Sequence, residues 1–217
     1  MAPLVVAIDG PAGAGKSTIA KALATALNIE YLDTGAMYRG VTYEVLRRGL
    51  EATDVDAVAR VAREVKFEQS ATSLHVNGVD ATTAIRTPAV DAAVSHVAAN
   101  SAVRSELRER QREWIVSHGG GVVEGRDIGS VVFPDATLKV YLVASPMVRA
   151  QRRVAQHGGD VNEIARAIAE RDERDSTRDD SPLRQMPDAV VVDTSERSIG
   201  AVVEHIRDLL NEKTEES

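Results

Sequence analysis

The stretch that most limits what this chain can fold into is Gly10-Pro11-Ala12-Gly13-Ala14-Gly15-Lys16-Ser17-Thr18, which contains the spacing Gly, four residues, Gly-Lys-Ser. Such a segment needs a particular scaffold, with a buried strand before it and a helix opening from its end. Both are written in the flanks. Leu4–Ile8 is a short apolar run of strand length, and Ser17–Leu27 repeats its apolar residues at helical spacing. Glycines let the backbone curl until its N–H groups converge on one point. The helix N-terminus adds partial positive charge at the same place. The loop therefore suits the phosphates of a nucleoside triphosphate, with Lys16 reaching the β- and γ-phosphates and the Ser17 hydroxyl ligating Mg²⁺.

Further apolar runs continue the scaffold. Glu30–Leu32, Gly121–Glu124, Leu138–Val143 and Ala189–Val192 join Leu4–Ile8 as five buried strands. Helical periodicity lies between and after them, over Ser17–Leu27, Gly35–Arg48, Pro88–Val116, Pro146 to about Gln156, Val161–Arg174 and Ser198–Asn211. Strands alternating with helices predict an α/β fold, a five-stranded parallel sheet with helices on both faces. One segment departs from the pattern. Lys66-Phe67-Glu68, Ser73-Leu74-His75-Val76 and Val79-Asp80-Ala81 are short extended runs, and Asn77-Gly78 between the last two signals a hairpin. A small antiparallel insertion apart from the parallel sheet is expected there. Gln156-His157-Gly158-Gly159-Asp160 reads as a flexible break between two Arg-rich helices, and the acidic end after Asn211 as disordered.

Several function classes fall away on composition. A net charge of −7 does not attract a nucleic-acid duplex over the whole surface, so affinity for phosphate has to come from local clusters of Arg and Lys. With no cysteine, disulfides, thiol chemistry and thiolate metal sites are excluded. Leu4–Ile8 is too short for a signal-peptide core, and no run approaches the roughly 20 apolar residues that span a bilayer. A cytoplasmic protein and, with no oligomerisation device in the sequence, a monomer are the expectations.

A phosphate loop alone leaves the acceptor open, because GTPases, ATPases and small-molecule kinases share it. The guanine-reading pattern Asn-Lys-x-Asp is missing. Three other segments bear on the acceptor. In Leu32-Asp33-Thr34-Gly35-Ala36-Met37-Tyr38-Arg39, Thr34 is placed to cap the following helix, with Tyr38 and Arg39 one turn in. A planar guanidinium there suits a substrate phosphate, although, taken alone, these residues favour a plain capped helix with an exposed Arg, because the cap signal is common. Glu124-Gly125-Arg126-Asp127 closes the third strand, and ligands of open parallel sheets bind beyond such ends. One carboxylate there can hold hydrated Mg²⁺, leaving Arg126 and Asp127 to the acceptor; an ordinary charged turn is the bland alternative. Arg171, Asp175 and Arg178 share one helical face, with Arg174 on the same stripe, if the helix persists that far. The competing reading is a solvated face with Glu170–Arg174 and Arg171–Asp175 ion pairs. Arg149, Arg152 and Arg153 read as the first half of a mobile lid or as a snorkelling amphipathic helix.

Taken together, Asp9 to Thr18, Leu32 to Arg39 and Val123-Glu124-Gly125-Arg126-Asp127-Ile128-Gly129 closely resemble bacterial cytidylate kinases, and Val131-Val132-Phe133-Pro134-Asp135-Ala136 and the arginine helix continue the likeness, from about Val5 to Val203. The resemblance implies transfer of the ATP γ-phosphate to CMP or dCMP with Mg²⁺, within pyrimidine nucleotide metabolism. It implies one P-loop kinase domain: a core of about 1–60, 86–148 and 179–212, a monophosphate-binding insertion of about 61–85, and a helical lid of about 149–178. It also implies acceptor-site or transfer roles for Thr34, Tyr38, Arg39, Arg86, Ser95, Arg104, Arg126, Asp127, Arg171, Asp175 and Arg178. Of these, Asp127 is assigned to the cytosine N4 amine, because a carboxylate accepts from that group, with Ser95 and Arg104 completing the base edge. Asp175 is assigned to the ribose hydroxyls beside Arg171. On the same resemblance Arg39, Arg126 and Arg178 are expected to grip the phosphates, and Lys16, Arg126, Arg178, Arg149 and Arg153 to form the catalytic set.

Glu124 stands where some family members have Asp, which bears on its reach to Mg²⁺ through water, and the short insertion is expected to move less like an independent domain. A P-loop kinase of another acceptor, such as another nucleoside monophosphate or shikimate, and a non-catalytic nucleotide sensor are the rival readings.

Overall fold

The structure, a computed structural model, describes residues 3–215. It divides into two compact units, one from the described residues of 1–31 and 118–217 and one from 32–117.

In the first unit, β1 (Leu4–Asp9) leads through the phosphate loop into α1 (Lys16–Leu27), and the chain then reaches β2, whose span is Tyr31–Asp33. It later supplies β6 (Gly120–Glu124), β7 (Leu138–Val143), α6 (Pro146–His157), α7 (Val161–Thr177), β8 (Val190–Asp193) and α8 (Ile199–Glu215). The five strands lie in the order β2-β6-β1-β7-β8. Registers such as Val6 opposite Val122, Val6 opposite Leu138 and Val140 opposite Val190 are parallel. Parallel strands carrying Val, Ile and Leu on both faces need cover on both. On one side Ile19, Leu23, Val202 and Ile206 of α1 and α8 close over Val6, Ile8, Val140 and Leu142. Each such side chain taken from water contributes about 1.5–3 kcal/mol before entropy is counted. Between β1 and its two neighbours the chain order reverses, so the carboxyl ends of β1 and β6 open where ligands of such sheets bind.

The second unit holds α2 (Thr34–Arg47), α3 (Val55–Glu64), an antiparallel sheet of β3 (Phe67–Gln69), β4 (Leu74–Val76) and β5 (Val79–Asp80), then α4 (Pro88–Ala99) and α5 (Ser101–His118). The Asn77-Gly78 turn joins β4 and β5 with both residues at positive φ, 52° and 78°, the backbone that this dipeptide adopts at low cost.

Four local expectations change. Asp33, not Thr34, caps α2: its Oδ1 accepts from the Ala36 N–H at 2.9 Å, and Thr34 becomes the first helical residue. The long helix Pro88–Val116 is two helices, because Asn100 leaves the helical region and its side-chain oxygen accepts from the Ala102 N–H, starting α5 afresh. Helix α3 was not expected, although Asp54 caps it by accepting from the Ala57 N–H. The acidic tail stays helical to Glu215 rather than turning disordered, with Thr214 Oγ1 donating to the Leu210 carbonyl. Residues 216 and 217 of that tail lie outside the described residues. Among the described residues, no helix is long and apolar enough to cross a membrane.

Candidate active site

The phosphate loop is shaped by its neighbours as well as by its glycines. Gly10 has φ 146°, and a Cβ there would stand 2.2 Å from the Leu142 carbonyl oxygen, so the loop leaves β1 pressed against β7. Gly13 and Gly15 follow at φ 78° and 90°, and α1 begins at Lys16. The Thr194 hydroxyl, at the end of β8, donates to the Ala14 carbonyl at 2.9 Å, and Arg152 in turn donates to Thr194 Oγ1 at 3.0 Å. Ser17 and Thr18 are exposed on the first turn of α1, and Pro11 and Ala12 are half-buried.

Lys16 is only 7% exposed, and its Nζ donates to the Pro11 carbonyl at 2.8 Å. Burial first, and then the positive charges of Arg126 and Arg171, lower its pKa to about 7, against the pull of Glu124 and Asp9. A cation held this reluctantly marks a place where anionic charge is wanted.

At the end of β6, Glu124 is buried and accepts a hydrogen bond from the Tyr31 hydroxyl. Arg126 Nε donates to Asp175 Oδ2 at 3.0 Å, and Asp127 is 5% exposed. After it comes a π-helical turn, Ile128–Val132, of the rare kind that clusters at functional sites. Asp9 holds that turn, its two oxygens accepting from the Ile128 N–H at 2.9 Å and the Gly129 N–H at 2.8 Å. Burial raises its pKa to about 6, against the two N–H donors, which lower it.

This shift has a measurable sign. Between pH 4 and 6 the folded state holds a proton that the unfolded chain has lost, so Asp9 costs stability as pH rises through that window. Two pKa units correspond to about 3 kcal/mol. In urea titrations at pH 4, 5, 6 and 7, wild type is expected to lose about that much stability relative to Asp9→Asn. A difference that stays flat over the series would place the Asp9 pKa near its ordinary value.

Arg126, Arg149 and Arg178 of the first unit are already engaged. Arg178 donates to the Ser181 carbonyl through Nε at 2.7 Å, while Nη2 lies 3.9 Å from Asp127 and Nη1 3.8 Å from Asp175. Burial pushes the Asp175 carboxyl up, but Arg126, Arg171 and Arg178 outweigh it and hold the group below its ordinary value. Helix α7 ends at Thr177, with Arg178 as its cap residue. Arg174 does not join the inward stripe: it is exposed, and its Nε donates to the Glu170 backbone carbonyl. Arg149, 8% exposed, donates to the Ala12 carbonyl and to Asp172. Arg153 is half-buried on the same helix.

In the second unit, Arg39 donates to the Ile85 carbonyl at 3.0 Å and pairs with Asp91 at 2.5 Å. Thr34 and Tyr38 are buried. Arg104 is 1% exposed, stands over the Tyr38 ring at 5.5 Å and donates to the Ala98 carbonyl. Ser95 is half-buried on α4, and Arg86, exposed, lies 3.6 Å from Asp33. A fully buried arginine on an aromatic face is rare unless it has a task.

Sequence reading did not single out Asp9, Tyr31, Asp172, Thr194 or Ser181, which brace these groups. Asp9 carries one local signal, a carboxylate ending an apolar strand directly before the loop's first glycine; Ser181 lies three residues from Arg178, while Tyr31, Asp172 and Thr194 depend on partners far away in the chain.

Comparison with known proteins adds an independent line. The profile of a family described as cytidylate kinase matches residues 6–212. A cytidylate kinase of Mycobacterium avium (strain 104) is 48% identical, the match covering 99% of this chain and 98% of that protein. One of Limosilactobacillus reuteri (strain DSM 20016) is 44% identical, covering 98% and 97%. Among solved structures, a Thermus thermophilus protein is similar with a TM-score of 0.53 at 17% identity, covering 98% of each chain. A shikimate kinase from Acinetobacter baumannii reaches 0.51 at 14%, covering 98% of this chain and 94% of its own. These two bear on the fold alone.

Proposed function

We propose, from the premise that this chain belongs to the cytidylate kinase family, that it transfers the γ-phosphate of ATP to CMP or dCMP, giving ADP and CDP or dCDP. The observation that carries the reading is the family match over nearly the whole chain, with the phosphate loop intact inside it.

The residues fit the donor. Positive-φ glycines, the start of α1 and a buried lysine whose charge is opposed by burial, Arg126 and Arg171 suit a triphosphate, with residues Gly10 to Thr18 around it. The oxygen ligands on hand are the exposed Ser17 hydroxyl and the buried Glu124 carboxylate, a sparse set that suits an Mg²⁺ ion retaining most of its water. Ser17 would hold it directly and Glu124 through water. When bound, the ion neutralises phosphate charge.

Phosphoryl transfer asks the protein for position and charge rather than covalent chemistry. In our reading Lys16 takes charge on the β- and γ-phosphates. Arg126 and Arg178 meet the moving phosphoryl group, with Arg149 and Arg153 beside it. Arg39 and Arg86 face the acceptor phosphate near Thr34 and Tyr38. Asp175 with Arg171 takes the ribose, and Ser95 and Arg104 the base edge. Asp127 accepts from the cytosine amine, where uracil would bring a carbonyl oxygen against a carboxylate. We further propose that the segment of about 61–85 and the helices of about 149–178 move on substrate binding, excluding water that would otherwise take the phosphate. We place the reaction in the cytoplasm, where both nucleotides are at hand.

Coupled ADP release over CMP, dCMP, UMP, AMP, dTMP and shikimate tests the activity, and preference for any acceptor outside CMP and dCMP would overturn it. Asp127→Asn tests the base assignment. An amide can donate to the uracil carbonyl, so the ratio of kcat/KM for CMP over UMP is expected to fall by about 10- to 100-fold. An unchanged ratio would remove Asp127 from base reading.

A further inference from the structure

Helices α6 and α7 both meet the phosphate loop at Ala12, and the contact is two-sided. The Ala12 N–H donates to Asp172 Oδ1 at 3.0 Å, while the Ala12 carbonyl accepts from Arg149 Nη1 at 3.0 Å. The same Nη1 also donates to Asp172 Oδ2, which closes the three groups into a ring. Arg149 further packs on the loop, since a Cβ on Gly13 would stand 3.0 Å from its own Cβ.

An ion pair that merely joined α6 to α7 would have no need of the loop. Here one carboxylate uses one oxygen on the loop backbone and the other on the arginine. The side chains are 10% and 19% exposed, away from the solvent screening that makes surface pairs weak. Arg149 also keeps its Nε–H buried and without a hydrogen-bond partner, one donor left over beside the phosphate loop. One turn further along α7, Asp175 accepts from Arg126. The helix is therefore anchored twice, at 172 to the donor loop and at 175 to the turn after β6.

We propose that Asp172 is a positioning residue for the transfer reaction: it seats Arg149 against the phosphate loop and ties to that loop the helix that carries Arg171 and Asp175 and ends at Arg178. The proposal rests on the kinase reading above and deepens it. Asp172 itself touches neither substrate. Its effect passes through Arg149 and the Ala12 backbone, so it falls on ATP binding and turnover more than on capture of the acceptor.

The test uses the full chain as wild type, Asp172→Asn, Asp172→Ala and Arg149→Ala/Asp172→Ala. The readouts are equilibrium binding of a non-hydrolysable ATP analogue and steady-state transfer to CMP. Asn keeps an oxygen for the Ala12 N–H but loses the charge that seats Arg149, and Ala loses both. Expected are a fall in kcat of about tenfold for Asn and about 100-fold for Ala, the scale at which small misplacements act. Analogue affinity falls severalfold in both, and KM for CMP stays within about twofold. The double variant is no worse than Asp172→Ala by more than about twofold, as for residues that act as one unit. Values of kcat and analogue affinity within about twofold of wild type in Asp172→Asn and Asp172→Ala would overturn the proposal, as would losses that multiply in the double variant. Should Asp172→Ala not fold, the isosteric Asn variant decides alone. A wild type that binds the analogue yet leaves CMP untouched would sink the activity reading, and the analogue affinities would still judge Asp172.

Discussion

Lys16→Ala is expected to lower kcat for phosphate transfer to CMP by about 10³-fold or more while leaving the fold at least as stable as before. The two halves of that expectation come from one observation. Lys16 is buried, and burial together with Arg126 and Arg171 lowers its pKa to about 7, so in the empty protein its charge is a burden. Removing the ammonium relieves that burden and leaves the Pro11 carbonyl one donor short. In the reacting complex the balance reverses, because a triphosphate supplies the negative charge that the site lacks. Lys16→Arg should not rescue, since a planar fork does not fit a slot shaped for a point charge. Thermal midpoints measured beside turnover separate the two effects. A Lys16→Ala enzyme that kept more than about a tenth of wild-type kcat would remove Lys16 from phosphate stabilisation.

Arg126→Ala is the second large effect, with an expected loss of about 10²- to 10³-fold in kcat. Arg126 is bound to Asp175 and to the Gly125 carbonyl, so it is held in place before any substrate arrives. Its removal has two consequences that must be told apart. It takes positive charge from the transferring group, and it leaves Asp175 with fewer counter-charges, Arg171 and Arg178 remaining. If the stranded carboxylate were the cause, Arg126→Ala/Asp175→Asn would recover activity. No recovery is expected, because the charge on the phosphoryl group is still missing; recovery to within about tenfold of wild type would reduce Arg126 to a keeper of Asp175.

How much of this could be read beforehand depends on the range of the interaction concerned. The five strands and the phosphate loop obey rules acting within a few residues, and they appear where apolar runs and glycine spacing put them. The Asn77-Gly78 turn is equally local. Errors arise where two neighbours qualify for one task, as with Asp33 and Thr34, both good cap residues, of which the structure uses the first. Asn100 breaks a helix without Pro or Gly because its side chain reaches the Val55 carbonyl as well as the next turn, and the first of those partners is invisible from the local sequence. Helix α3 was legible in principle, with Asp54 as cap and Val58, Val61 and Ala62 buried at helical spacing. Arg174 was placed by counting residues, whereas three-and-four spacing fills a stripe broad enough to have a wet edge. The braces of the site lie beyond such reasoning. Asp9 reaches Ile128 across 119 positions, and Asp172 reaches Ala12 across 160. No local spacing encodes such pairs. For Arg104 and Ser95 the sequence itself offers only the polar face of a helix, and their proposed roles rest on the family resemblance.

Four of the arginines that we propose for phosphate already stand beside a carboxylate: Arg39 by Asp91, Arg126 by Asp175, Arg149 by Asp172, and Arg178 between Asp127 and Asp175. This arrangement sets a threshold for entry. Orthophosphate or sulfate brings charge alone, and to settle on any of these arginines it has to out-compete a tethered carboxylate that never diffuses away. A nucleotide arrives with a base and a sugar whose own contacts help the exchange along. On the proposed roles, the paired carboxylates would act as a built-in competitor that discounts bare charge, so that discrimination against common inorganic anions would start in the resting protein, before the base is read.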